Sequence, residues 1–145
     1  MDFDTRKTLE ELEDSDWGEL PDNPSYLVQT VYSLRRKPLQ NFTAEDLRIV
    51  IGQNLSLEFL VPVAMEMLAL EPWVKTDMGT GSLLRYVLNL SPDFWTDHPD
   101  LWRRMKSVLE HALADLPDLD EWDKAEMKAE GMEEKILCVL DAYRE

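Results

Sequence analysis

Almost throughout the chain, apolar residues recur three and four positions apart, and no stretch sustains a period of two. That spacing restricts the fold to packed helices, because only a 3.6-residue repeat lays such a set along one face. The densest segment is LEFLVPVAMEMLAL, residues 57–70, which is apolar on nearly every side. A helix with no polar face to turn toward water belongs at the centre, with the others packed about it. The expected fold class is therefore all-α: a single-domain bundle over residues 1–145, with about six to eight helices around this central apolar helix. The same segment carries Glu58, Pro62 and Glu66 and is too short and too charged to span a bilayer.

Caps and breakers divide the rest. Thr8, Leu9 and Leu12 indicate a short first helix. Asn23-Pro24 matches an N-cap followed by proline at the first helical position, and Tyr26, Leu27, Thr30, Val31 and Leu34 then line one face up to the turn at Lys37-Pro38. Thr43 to Asp46 has the capping pattern of a third helix, which turns Leu47, Val50 and Ile51 inward and stops at Gly52. The central helix is expected from Leu55 to Leu70, bent at Pro62, with Leu57, Leu60, Val61, Ala64 and Leu68 facing the core. Gly79 and Gly81 break the chain before a fifth helix bearing Leu83, Leu84, Val87 and Leu88. Ser91-Pro92 opens a single turn carrying Phe94 and Trp95, and Leu101, Trp102, Met105, Val108, Leu109, Ala112 and Leu113 trace a sixth helix that Pro117 ends. In the last helix Trp122, Ala125, Ala129, Met132, Ile136, Val139 and Tyr143 form a regular seam through Gly131, at a cost of about 1 kcal/mol relative to alanine. No strand is expected.

Residue chemistry argues against catalysis. RKPLQNFTAEDLRIVIGQN, residues 36–54, mixes bases, a proline turn and a glycine, but a phosphate loop needs its glycines at the entrance of a helix and this one lies at the exit. Arg35, Arg36 and Lys37 instead end a helix, where cations complement the dipole. His98, His111 and Cys138 have no zinc-ligand spacing, and a calcium loop begun at Asp118 would place Trp122, Asp123 and Ala129 where a ligand, a glycine and a glutamate are required. Cys138 has no base or orienting partner that would make it a nucleophile. No catalytic residue, metal or cofactor is expected. Nor can the one cysteine form an internal disulfide; with no basic-then-apolar leader near the start, a cytoplasmic location is expected.

Charge is more informative. The net value is −15, and residues 1–25 hold nine acids against two bases, residues 26–109 nine against nine, and residues 110–145 twelve against four. The excess thus lies in the two ends of the chain. Such a field repels phosphate backbones and anionic lipid and speeds encounter with basic partners, so neither nucleic acid nor membrane is expected as a ligand. Trp17 and Trp122 each sit within an acidic end, in EDSDWGELPD and DLPDLDEWDK. An aromatic ringed by carboxylates suits either an interface anchor for a cationic partner or a pin holding a chain end to the core.

The segments KTLEELE, DWGELPDNPSYLV, LRRKPLQNFTAEDLRIVIGQNLSLEFLVPVAMEML, GSLLRYVL and DFWTDHPDLW together resemble the bacterial contact-dependent growth inhibition (CDI) immunity proteins, the CdiI type. The resemblance covers nearly the whole length and is densest from Lys7 to Leu68. From Leu116 onward it persists only in the pattern of leucines and acids. It implies an all-helical cytosolic protein without catalytic residues that binds the C-terminal toxin domain of a cognate exported toxin, often a nuclease. A nuclease cleft is basic, so the two readings together place the partner-binding residues in the acidic ends: Asp14, Asp16, Trp17 and Glu19, with Asp118, Asp120, Glu121, Trp122 and Asp123. The competing expectation is an acidic helical adaptor or regulatory module, which fold and charge fit equally well. Oligomeric state has no signature in the sequence.

Overall fold

The computed structural model describes residues 2–142, which form nine α-helices and one small antiparallel hairpin. The class is all-α, as the apolar spacing requires.

Thr8 caps α1 (Leu9–Glu13): its hydroxyl accepts the Glu11 N–H at 3.2 Å, and the Glu11 carboxylate accepts the Thr8 N–H at 3.1 Å. Helix α2 (Tyr26–Leu34) is capped by Ser25, whose hydroxyl accepts from Val28, and not by Asn23. Asn23 takes a left-handed conformation at φ 52 in the turn before it, leaving Pro24 outside the helix. The start of this helix faces water, with Tyr26 81% exposed, and only Val31 and Leu34 are buried. The Thr43–Asp46 box opens α3 (Ala44–Gly52) as expected. Gly52 does more than stop it, since a Cβ there would lie 3.0 Å from the Tyr86 ring, so the bare backbone lets that ring lie against it.

Left-handed Asn54 and Ser56 delay the central helix α4 to Leu57–Leu70. It is continuous through buried Pro62 and presents Leu60, Val61, Ala64, Met65 and Leu68 to α3, to α5 (Ser82–Leu88) and to α7 (Pro99–Asp115). Between α4 and α5 the chain makes a hairpin that was not expected: β1 (Lys75–Thr76) pairs with β2 (Gly79–Thr80), Lys75 opposite Thr80. Two-residue strands are too short to show alternation, so their only signal is the glycine pair. Helix α6 (Pro92–Asp97) buries Trp95 against α7, and the indole of Trp73 donates to the Ala112 carbonyl at 2.9 Å, tying the loop after α4 to α7.

The largest departure lies at the end of the chain. The expected single seam is two helices, α8 (Glu121–Ala129) and α9 (Met132–Ala142), separated at Gly131, whose φ of 64 is left-handed. The break resets the helical phase. Met132, Ile136 and Val139 face inward or partly so, as expected, whereas Trp122, Ala125 and Ala129 are exposed and α8 buries Asp123 and Met127 instead. Tyr143 lies outside the described residues. Among those residues, no helix is long and apolar enough to cross a membrane.

Candidate functional site

The acidic ends dock at opposite ends of α4. Residues 14–23 run exposed across the end of α2, held by two arginines. The Arg35 guanidinium, almost fully buried, pairs with Glu13 and donates to the Ser15 carbonyl at 2.9 Å while lying 4.2 Å beneath the Trp17 ring. Arg36 pairs with Glu10 and donates to the Gly18 carbonyl, and Lys37 pairs with Asp46. The basic triplet therefore stitches the N-terminal segment and α3 to the end of α2, beyond complementing a dipole. Glu13 also accepts from Ser56 at the start of α4, and Phe3 packs edge-on against Phe59, placing this segment at the N-terminal end of that helix.

Within the segment, Trp17 is 38% exposed and rests edge-on against Tyr32 as well as over Arg35. One face is thereby spent on fixing the chain. Asp14 closes α1 in a left-handed conformation, Asp16 accepts the Gly18 N–H at 2.7 Å, and the Glu19 side chain faces solvent.

The C-terminal group surrounds the start of α8. Asp120 caps this helix through the Asp123 N–H at 2.8 Å, Glu121 pairs with Lys124, and Asp118 is exposed on the turn before it. Asp123 points inward, accepting the Thr80 hydroxyl at 2.9 Å with the Lys75 ammonium at 3.6 Å, so it joins α8 to the hairpin. Trp122, one position away, is 83% exposed and free of the core. Asp118 and Asp123 line a cleft of about 650 Å³ whose walls include Leu70, the last residue of α4. The two acidic patches thus stand roughly a helix length apart, on the order of 20 Å for 14 residues.

A third feature escaped the sequence reading. Tyr26, Leu27, Ile49 and Tyr86 line a groove beside the hairpin turn, floored by Arg48, which is clamped by Glu45 through two 2.7 Å contacts. The Arg48 hydrogen bonds hold the Glu45 carboxyl below the ordinary glutamate range. The one available clue was Tyr26, which opens a helix before its buried face is established.

A family model described as CDI immunity proteins matches residues 11–105, well over half of the chain. The chain belongs to the CDI immunity proteins. Comparison with curated proteins and with solved structures returned no match. In this immunity protein the matched span holds Asp14, Asp16, Trp17 and Glu19, whereas Asp118 to Asp123 lie beyond it. The second acidic patch therefore sits in the part of the chain that the family description does not reach.

Proposed function

We propose that this CDI immunity protein neutralises the C-terminal toxin domain of its cognate exported partner, a nuclease, by covering the basic active site with its own acidic surface. It works in the cytoplasm and has no catalytic role. The observation carrying this reading is the environment of Trp122: a large aromatic almost wholly in solvent, held at the Asp120-capped first turn of α8 among Asp118, Asp120 and Glu121. An indole beside carboxylates, of which Asp118 makes no ion pair among the described residues, is a favourable seat for arginine and lysine, and tryptophan is enriched among the energetic anchors of protein interfaces.

The nine residues divide their work in this reading. Asp14, Asp16, Glu19, Asp118, Asp120 and Glu121 supply the field that steers a cationic cleft into place, and Trp122 is the contact that holds it. Trp17 and Asp123 keep their patches in shape, the first by covering Arg35 and the second by holding the hairpin. The test is co-expression with the toxin domain encoded directly upstream. Cells should survive with the wild-type chain and die with a Trp122→Ala chain also carrying amides at Asp14, Asp16, Glu19, Asp118 and Glu121. Equal survival with both would move the interface to the neutral middle of the chain.

A further inference from the structure

The cleft beside α8 is built differently from the open acidic surface around it. Its floor is Trp73, 5% exposed and pinned through its indole N–H to α7, and its walls are Leu70, Pro72, Val74 and Leu119. Leu70 stands at the mouth 87% exposed, at the last position of a helix whose other leucines face inward or partly inward. Four carboxylates, Glu71, Asp115, Asp118 and Asp123, line the cleft against one lysine, Lys75. Asp115 pairs with His111, and Asp123 is engaged by Thr80 and Lys75; among the described residues neither Glu71 nor Asp118 makes an ion pair.

We propose that this cleft seats an arginine-led segment of the toxin domain, its aliphatic stem against Leu70 and Leu119 and its guanidinium held by Asp118 and Glu71. This rests on the toxin-binding reading above and names the part of the surface that holds the partner. Apolar walls with carboxylates at the rim suit arginine among the natural side chains: the stem buries on the walls while the planar fork meets two acids, and a guanidinium sheds water more readily than an ammonium. A purely apolar occupant would strip water from Asp118 and Glu71 without replacing its hydrogen bonds. Because the floor is fixed by the Trp73 bond and one wall by the Asp123–Thr80 bond, the cleft is formed before the partner arrives, so little ordering is lost on binding.

The test measures the affinity of purified immunity protein for the toxin domain encoded directly upstream. Leu70 and Asp118 are exposed, so L70R/D118R should keep the wild-type circular dichroism while weakening binding at least 100-fold, mainly through faster dissociation. Y26R, an equally exposed change in the groove by α3, should stay within threefold of wild type. Scanning the arginines of the toxin domain to glutamate should uncover one change that binds D118R at least tenfold better than the unmodified toxin does. Should L70R/D118R prove misfolded, L70S/D118N is read in its place with a fivefold threshold. Wild-type-like affinity of the double variant, with protection intact, overturns the cleft and leaves the function standing; failure of the wild-type chain to bind or protect overturns both.

Discussion

Arg35 carries the attachment of the first acidic segment. Its guanidinium is buried between the Glu13 carboxylate and the Trp17 ring, with its Nε left without a partner, so the Glu13 carboxylate and the Ser15 carbonyl are what offset the burial of its charge. Removing one member of such a pair strands the other, whereas removing both does not. Arg35→Ala should therefore cost about 3 kcal/mol in urea unfolding, and Arg35→Met with Glu13→Leu clearly less than that. Thr80→Val is a second case: it takes the hydroxyl from a nearly buried Asp123 and should cost about 1–3 kcal/mol, read in the same way. Glu45 gives a pH signature. Arg48 holds its carboxyl below the ordinary value of about 4.3, so the pair contributes fully above that value and its contribution fades as pH falls through the lower folded value. Arg48→Met should flatten the acid limb of a stability–pH curve as pH falls below about 4.3 and leave its neutral region nearly parallel.

Among the elements, Gly131 distinguishes what the sequence shows from what it hides. A seam running unbroken from Trp122 to Tyr143 makes Gly131 a helix-interior glycine, where alanine would stabilise. In the structure it is left-handed between α8 and α9, and an added Cβ would meet only the Glu134 carboxylate, at an ordinary 3.7 Å; the strain is thus in the backbone, and Gly131→Ala should instead lower stability by about 1–2 kcal/mol, a sign readable in a single thermal melt. Elements with their own caps were legible: Thr8, Thr43, Ser91 and the apolar run of α4 fix their helices by local chemistry. Replacing the Thr43 hydroxyl with Thr43→Ala should cost about 1 kcal/mol in chemical unfolding. The hairpin and the break in the final helix were not legible, because the first is too short to carry a period and the second preserves a three-and-four spacing across a change of direction. The candidate site inherits that limit. Trp17 and Trp122 look alike in sequence, yet Arg35 from a distant helix covers one ring, and the phase of α8 turns Asp123 inward while leaving its neighbour in water.

For the molecule as a whole, the acidic excess has opposite effects on folding and on binding. Within the free chain, 30 acids against 15 bases repel one another, which works against compactness, while the ion pairs at Arg35, Arg36, Lys37 and Arg48 are short-range and partly shielded from solvent. Toward a toxin domain with the basic cleft proposed above, the same excess would be attractive and long-range, setting the association rate more than the dissociation rate. Salt screens the long-range part first, because the Debye length falls from about 30 Å at 0.01 M to about 8 Å at 0.15 M, shorter than the separation of the two acidic patches. Raising sodium chloride across that range should therefore raise the melting temperature of the free protein while slowing its association with the toxin domain by about tenfold or more, with dissociation nearly unchanged. Amides at Asp14, Asp16, Glu19, Asp118 and Glu121 should weaken both responses together. A variant that lost the salt dependence of association but kept that of melting would show that those five carboxylates steer the partner while the repulsion felt by the fold arises elsewhere in the chain.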